Sequence, residues 1–459
     1  MKRATILLLL LTFISIPILR AQLPKESPED KKQRMAWWTQ DRFGMFIHWG
    51  LYAMPARHEW VKRYEHLTNE DYEKYFEMFE PDMYHPQEWA KKAKAAGMKY
   101  AVITTKHHEG FCLFDSKYTD YKSTNTPIGK DLIKEFVEAF RAEGLKVGFY
   151  YSLLDWHHPD YTIDRNHPLS AASDEEYDRL NQGKDMDVYR QYIKNQVREL
   201  LSNYGKIDII WLDYSFPSRE GYDHGKDHKD WDSENLLKMV RELQPDILVN
   251  DRLDLLDVEG GWDFTTPEQY KVSKWPERNG VQVPWETCQT FSGSWGYYRD
   301  EKTWKSNKQL LGLLIESVSK GGNLLLNVGP TARGYIDSRA EERLEDMGEW
   351  MYYNSRSIYN CTQAPDEFVA PPNTLLTYNP ETNRLYVHLL DYPMKWFTLP
   401  GFGGKVKYAQ FLHDGSELKF GEPRHNVTHQ EHLANEDILL ILPMNKPDIE
   451  IPVIELILN

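Results

Sequence analysis

Cysteine is scarce in this sequence, and the few cysteines are scattered. Only three occur among 459 residues, namely Cys112, Cys288 and Cys361. Three thiols at these spacings exclude the disulfide framework of a small secreted domain, and they match no zinc-ligand pattern. We therefore expect an apolar core to hold the fold together, and the 13% aromatic content supplies large side chains for it.

Positive charge is also in short supply. The chain has 55 Lys and Arg against 70 Asp and Glu, which gives a formal net charge of −15. A protein of this sign is poorly suited to bind phosphate backbones, so nucleic acid is not an expected partner. A neutral or weakly charged substrate fits the composition better.

Long apolar runs are missing except at the N-terminus. Residues Ile6 to Ile18 form one such run, which follows Lys2 and Arg3 and precedes Ala21. This order is typical of a signal peptide over residues 1–21, and the run is shorter than the roughly 20 residues of a membrane span. We expect a secreted or periplasmic protein that does not insert into a membrane once the signal is removed. Its removal would lower the net charge from −15 to −18.

Between about residues 40 and 360, short β-branched or aromatic runs alternate with amphipathic helical stretches, as in βα units around a parallel sheet. The eight predicted strands are Phe43 to His48, Tyr100 to Lys106, Lys146 to Tyr151, Ile207 to Asp213, Ile247 to Asp251, Asp263 to Glu268, Trp285 to Thr290 and Asn323 to Val328. Eight units without a glycine-rich phosphate loop favour a (β/α)8-type barrel over a doubly wound open sheet.

Three of the predicted helices share one kind of ending. Gly97, Gly144 and Gly205 each follow an amphipathic stretch and stand a few residues before a predicted strand. We expect each glycine to adopt the left-handed conformation that terminates a helix.

The residue pattern of the sequence changes after Tyr359, where prolines and alternating apolar runs replace the helical pattern. Runs such as Thr374 to Tyr378 and Leu385 to Leu390, with closing runs at Asp437 to Pro443 and Ile449 to Leu458, predict an antiparallel β-sandwich. The expected organisation is a signal peptide over 1–21, a barrel over 22–362 and a C-terminal sandwich domain over 363–459.

Polar and aromatic side chains gather at the ends of the predicted strands, where barrel enzymes place their active sites. These strand ends are His48-Trp49-Gly50, Lys106-His107-His108-Glu109, Tyr150-Tyr151-Ser152, Trp211-Leu212-Asp213-Tyr214, Asn250-Asp251-Arg252 and Thr266-Pro267-Glu268, and Glu59-Trp60 follows the first strand. Trp211 and Asp213 are two residues apart and share one strand face. An indole beside a carboxylate suits a sugar pocket, because sugar rings stack on aromatics while hydroxyls take directed hydrogen bonds.

Glycoside hydrolysis needs two carboxyl groups in different protonation states. Asp213 and Glu268 are the predicted pair.

With these residues, the sequence resembles glycoside hydrolase family 29, the α-L-fucosidases. The matching stretches are Phe43 to Gly50, Glu59-Trp60, Thr105 to Phe111, Tyr150 to Ser152 with Asp155-Trp156, Trp211 to Asp213, Asn250 to Arg252, Thr266 to Glu268, Trp285 to Cys288 and Gly321 to Pro330. They occur in the family's order and span about residues 30 to 360.

The resemblance implies a retaining, exo-acting α-L-fucosidase whose partner is a fucosylated oligosaccharide or glycoconjugate. It implies that Asp213 is the nucleophile, and it implies a fucose pocket formed by His48, Glu59, Trp60, His107, His108, Tyr151, Trp211 and Arg252. The family uses no metal or organic cofactor. Its acid/base varies in position, and the resemblance leaves Glu268, Glu286 and Asp263 as candidates.

Other interpretations stay open. The adjacent His107 and His108 invite a metal hypothesis, but neighbours on a strand point to opposite faces, which disfavours two ligands to one ion. An inactive fucose-binding protein would keep the same pocket. An α-L-galactosidase would differ only where the pocket faces carbon 6. The loop from Arg57 to Tyr64 is more basic than the family pattern, which puts linkage preference in doubt.

Overall fold

The computed structural model describes residues 26–421 and 436–459. The predicted signal peptide, residues 1–21, lies outside these ranges. No helix in the described ranges is both long and apolar enough to cross a bilayer.

Helices and strands alternate through the first three quarters of the chain. The described residues contain eleven α-helices: α1 (Pro28–Asp41), α2 (Val61–Tyr64), α3 (Asn69–Glu77), α4 (Pro86–Ala95), α5 (Leu132–Ala142), α6 (Asp174–Asn181), α7 (Met186–Asn203), α8 (His228–Trp231), α9 (Ser233–Leu243), α10 (Asn307–Ser319) and α11 (Ser338–Asn354). They also contain seventeen strands: β1 (Phe43–Ile47), β2 (Tyr100–Lys106), β3 (Lys146–Ser152), β4 (Ile209–Asp213), β5 (Leu248–Val249), β6 (Glu277–Arg278), β7 (Val281–Gln282), β8 (Glu286–Thr290), β9 (Asn323–Val328), β10 (Thr362–Gln363), β11 (Thr374–Asn379), β12 (Arg384–Leu389), β13 (Trp396–Leu399), β14 (Val406–Phe411), β15 (Phe420–Gly421), β16 (Ile438–Ile441) and β17 (Val453–Leu458).

A parallel sheet of seven strands forms the centre of the molecule, in the order β5-β4-β3-β2-β1-β9-β8. Its strands are buried on both faces, as parallel sheets covered by helices are. Inside the curve of the sheet, aromatic side chains such as Phe46, Tyr150 and Trp211 pack together in one buried cluster. Because the strands are parallel, their carboxyl ends meet at one edge of the sheet.

The predicted sixth strand, Asp263 to Glu268, is wrong as a regular strand. The segment forms only isolated parallel bridges, from Phe264 to Asn250 beside β5, from Thr265 to Trp285 beside β8, and from Glu268 to Cys288 in β8. It nevertheless contacts both edges of the seven-stranded sheet, so the sheet curls toward itself. The predicted strand at Ile247 to Asp251 likewise shortens to the two residues of β5.

The predicted helix endings are confirmed. Gly97, Gly144 and Gly205 have φ values of 86°, 78° and 71° and stand just beyond α4, α5 and α7. A residue with a β-carbon would be strained in this left-handed conformation.

The C-terminal part is built from antiparallel strands, as the alternating runs predict. One sheet has the order β10-β11-β12-β17-β14, and a second has the order β13-β16-β15. Residues between Phe368 and Leu456 form an apolar cluster of their own, while Tyr386 and Val453 pack into the core beside the parallel sheet. The domain boundary at 362 and 363 stays a prediction.

Candidate functional site

A cavity of about 380 Å³ opens at the carboxyl ends of the parallel strands. Its lining combines aromatic rings, histidines and carboxylates, and consists of Phe46, His48, His58, Glu59, Trp60, Tyr64, His107, His108, Tyr150, Trp211, Asp213, Tyr214, Glu268, Gln269, Cys288, Ser292, Gly293 and Trp295. The structure thus brings together all the predicted site residues except Tyr151 and Arg252 as lining groups of one cavity.

Asp213 ends β4 and lies in the cavity wall beside Trp211. Its Oδ2 accepts a 2.7 Å hydrogen bond from the Tyr150 hydroxyl, and its Oδ1 accepts one of 3.2 Å from Arg252 Nη1. Burial raises the pKa of Asp213, and the neighbouring Arg252 guanidinium opposes that rise. The two hydrogen bonds point the carboxylate while leaving it within the cavity.

Arg252 joins the two predicted carboxyl groups, although it lies outside the cavity lining. While Nη1 binds Asp213, its Nη2 donates a 2.8 Å hydrogen bond to Glu268 Oε2. Thr266 fixes the guanidinium, since its hydroxyl accepts from Nε at 2.8 Å and its carbonyl accepts from Nη2 at 3.1 Å. Arg252 therefore sets the spacing between Asp213 and Glu268.

The two carboxyl groups differ in their contact with solvent. The Asp213 side chain is 11% exposed, whereas the Glu268 side chain is 40% exposed. One group is thus enclosed and held by two donors, and the other faces the open mouth of the cavity. Two carboxyl groups in unlike environments can divide the roles of nucleophile and proton donor.

Three of the four lining histidines, His48, His107 and His108, lie close together in the cavity wall. Nδ1 of His48 lies 2.6 Å from Asn327 Oδ1, and Nδ1 of His108 lies 2.7 Å from Ser152 Oγ. Burial lowers the pKa of His48 and His108 well below the usual histidine range, so both rings are neutral at pH 7. Neutral imidazoles can exchange directed hydrogen bonds with hydroxyl groups of a ligand.

The expectation that His107 and His108 point to opposite faces is wrong. Both rings line the cavity, with centroids 4.0 Å apart. The alternation of side chains holds only within a strand, and both histidines lie beyond the last residue of β2. Among the described residues, no group of three or more His, Cys, Asp and Glu side chains has an arrangement that would hold a metal ion.

Glu59 and Trp60 form the wall contributed by the first loop. Glu59 Oε2 accepts hydrogen bonds from the backbone N–H groups of Trp295 and Gly296, at 3.1 and 3.0 Å. This fixes the loop after β8, so Glu59 positions Trp295 as well as lining the cavity. Trp60 packs edge-on against His108 and Trp156.

Tyr151, a predicted pocket residue, does not reach the cavity. Its hydroxyl donates to Gln196 Oε1 at 2.8 Å, within the apolar layer between the sheet and the helices. Its neighbour Tyr150 occupies the cavity wall instead. In the parallel register Tyr150 pairs with Trp211, so both project to the inner face and Tyr151 projects outward.

The rival acids lie elsewhere. Glu286 begins β8 inside the sheet, where it accepts hydrogen bonds from Tyr100 and Trp38. Asp263 pairs with Arg34 and Arg241 at the opposite end of the strands. Neither belongs to the cavity lining, which leaves Glu268 as the candidate that faces Asp213 across Arg252.

Several lining residues were not predicted: Phe46, His58, Tyr64, Tyr150, Tyr214, Gln269, Cys288, Ser292, Gly293 and Trp295. Three of them, His58, Tyr214 and Gln269, have φ values of 100°, 87° and 59°, which are unusual for residues with a β-carbon. Such backbone strain often accumulates at functional sites. Tyr214 follows Asp213 directly, so its strained backbone helps set the direction of the strand end.

Comparison with known proteins finds one family over most of the chain. A family model described as alpha-L-fucosidase matches residues 19–356. Human tissue alpha-L-fucosidase is 31% identical over 384 residues, which cover 77% of this chain and 76% of the relative.

Two solved structures extend the comparison. Alpha-L-fucosidase isoenzyme 1 from Paenibacillus thiaminolyticus is 45% identical, with a TM-score of 0.85 over 94% of this chain and 99% of its own. An alpha-L-fucosidase from Bacteroides thetaiotaomicron, described as a trapped covalent intermediate with 2-fluoro-fucosyl fluoride, is 27% identical with a TM-score of 0.78, over 96% of this chain and 98% of its own.

Proposed function

Because the chain belongs to the α-L-fucosidase family, glycoside hydrolase family 29, we propose that it is an exo-acting enzyme that releases L-fucose from fucosylated oligosaccharides or glycoconjugates. We propose further that the anomeric configuration is retained through double displacement. The observation that carries the proposal is the pair Asp213 and Glu268, held on one arginine at the mouth of a cavity lined by aromatic rings and histidines.

Asp213 has the role of nucleophile in this mechanism. Its carboxylate attacks the anomeric carbon of the fucose ring and forms a covalent glycosyl-enzyme, while the bond to the leaving oxygen breaks. Tyr150 and Arg252 hold the attacking group in place. The trapped covalent intermediate of the Bacteroides thetaiotaomicron relative supports this step for the family.

Glu268 has the role of acid and then base. It gives its proton to the glycosidic oxygen during the first displacement and takes a proton from the attacking water during the second. Its exposed position at the cavity mouth suits both tasks, because leaving group and water arrive from the solvent side. Two inversions at one carbon restore the original configuration.

Substrate binding relies on uncharged contacts. Neutral His48 and His108 offer hydrogen bonds to sugar hydroxyls, and Trp211 and Trp295 offer aromatic surface to the apolar parts of the sugar. A cavity of about 380 Å³ is at the small end of ligand pockets and suits one terminal sugar. This supports exo action.

We propose that the parallel sheet and the segment 263–268 together make a closed (β/α)8-type barrel, since that segment bridges both edge strands. We propose that the two C-terminal antiparallel sheets form a sandwich domain over residues 363–459. The basic and apolar composition of residues 1–21 supports export to the periplasm or the medium.

The first test is release of 4-nitrophenol from 4-nitrophenyl α-L-fucoside by the purified protein, with Asp213→Ala beside it. We expect turnover in the wild type and a loss of several decades in a variant that remains folded by circular dichroism. A folded wild type without turnover on this substrate or on fucosylated oligosaccharides would contradict the proposal. Faster turnover of the matching α-L-galactoside would reassign the substrate.

A further inference from the structure

Glu109 is a buried acid behind the cavity wall that the proposed mechanism does not use. It follows His107 and His108 in the chain, and it is only 1% exposed. Neither of its carboxyl oxygens has a hydrogen-bond partner among the described residues. A buried carboxyl group without hydrogen bonds costs folding free energy, so the stability of the fold does not account for it.

His107 is a polar neighbour of Glu109. Glu109 Oε2 lies 3.4 Å from His107 Nδ1, and that nitrogen is itself buried and unpartnered within the described ranges. His107 also lines the cavity. Because Nδ1 lies beside the carboxyl group, Nε2 is the ring nitrogen left for a ligand.

The surroundings are shaped to admit this carboxyl group. A β-carbon on Gly50 would lie 2.6 Å from Glu109 Oε1, and Gly110 has a φ of 87°, so glycine is needed on both sides. Lys62, buried in α2, places a cation nearby. Burial lowers the pKa of Lys62 to about 8, and the charges of Glu109 and Asp155 oppose that shift.

We propose that Glu109 is a positioning residue that accepts the Nδ1 proton of His107 in a hydrogen bond and thereby presents Nε2 to the cavity as an acceptor for one hydroxyl of the sugar. A histidine whose Nδ1–H donates to a carboxylate has its tautomer and ring orientation set by that bond. The inference rests on the proposed function and adds to it the reason why His107 can read one particular hydroxyl.

The test uses 4-nitrophenyl α-L-fucoside and its 2-deoxy, 3-deoxy and 4-deoxy analogues. For each protein, kcat/KM on the parent is divided by kcat/KM on each analogue, which gives one penalty per hydroxyl. His107→Phe identifies the hydroxyl that His107 binds, because the penalty for that hydroxyl falls in this variant. We expect Glu109→Leu to reduce the penalty at that same hydroxyl by about tenfold, the usual size of one lost hydrogen bond, and to leave the other two penalties unchanged.

Two further variants separate positioning from general damage. Glu109→Gln keeps an acceptor oxygen near Nδ1 and is expected to retain most of the penalty. Glu199→Leu is the matched control, because Glu199 is a buried carboxyl group that binds Ser116 and the Lys117 backbone outside the cavity lining. It is expected to lower the melting temperature without changing any penalty. If Glu109→Leu does not fold, Glu109→Asp carries the test, because it withdraws the carboxylate from Nδ1.

The outcomes are distinct. An active wild type whose three penalties stay unchanged, or fall equally, in Glu109→Leu would overturn the inference and leave the proposed function standing. A folded wild type without turnover on the parent fucoside would overturn both.

Discussion

The hydrogen bond from Tyr150 to Asp213 makes the sharpest prediction about the chemistry of the site. Tyr150→Phe removes the donor 2.7 Å from Oδ2 and leaves the aromatic ring in place. Burial raises the pKa of Asp213, while Arg252 and the Tyr150 hydroxyl hold it down. Loss of the hydroxyl therefore raises the pKa further.

The size of the shift follows from the strength of the bond. A hydrogen bond to a charged group contributes about 1.5 to 3 kcal/mol, which is enough to move a pH–activity profile by about 1 to 2 pH units. The nucleophile must be ionised, so activity is lost as the pH falls through this pKa. We expect the acid limb of the kcat/KM profile to move to higher pH by that amount in Tyr150→Phe.

Tyr151→Phe is the matched control. Its hydroxyl donates to Gln196 in the apolar layer outside the cavity, so its removal costs about 1 kcal/mol of stability and leaves the pH profile unchanged. The assay measures kcat/KM on 4-nitrophenyl α-L-fucoside between about pH 3 and 9, a range that covers the titrations of carboxyl groups and histidines. An acid limb that is unchanged in Tyr150→Phe, or shifted equally in both variants, would show that the Tyr150 hydroxyl does not lower the pKa of Asp213.

Two other variants test separate parts of the account. Glu268→Ala should leave the turnover of fucosides with a good leaving group nearly unchanged. It should slow the turnover of those with a poor leaving group by about 10²-fold or more, because only these need a proton donor. Equal losses on both substrate types would contradict this role. Burial raises the pKa of Glu286 from 4.5 to about 7, so the wild type loses about 3 kcal/mol of stability as the pH rises through that range. Glu286→Gln should abolish this loss. A melting temperature that depends on pH in the variant as it does in the wild type would contradict the prediction.

The strand alternation in the sequence was enough to predict the parallel sheet and the edge where the site lies. All seven of its strands lie within two residues of their predicted bounds, because buried parallel strands have continuous apolar runs. The segment Asp263 to Glu268 has no such run, and it contacts its neighbours only through isolated bridges.

The errors at the site have physical reasons. Tyr150 and Tyr151 are indistinguishable by composition, but the pairing of Tyr150 with Trp211 places Tyr150 on the inner face. Strict alternation of side chains, started from Asp213 and carried across the sheet, could have identified Tyr150 as the inward residue. Trp295 comes from the loop after β8. Its place depends on two long-range hydrogen bonds that no local pattern encodes: its N–H donates to Glu59, and its carbonyl accepts from Asn327. Loop residues of this kind need the tertiary structure.

The central claim is that Asp213 attacks the anomeric carbon and forms a covalent intermediate. The most direct measurement is mass spectrometry of the protein after reaction with 2-fluoro-fucosyl fluoride, followed by proteolysis and sequencing of the labelled peptide. We expect one fluorofucosyl group, carried by Asp213 and absent from Asp213→Ala. A label on another residue, or hydrolysis of natural substrates with inversion and no covalent adduct, would contradict it.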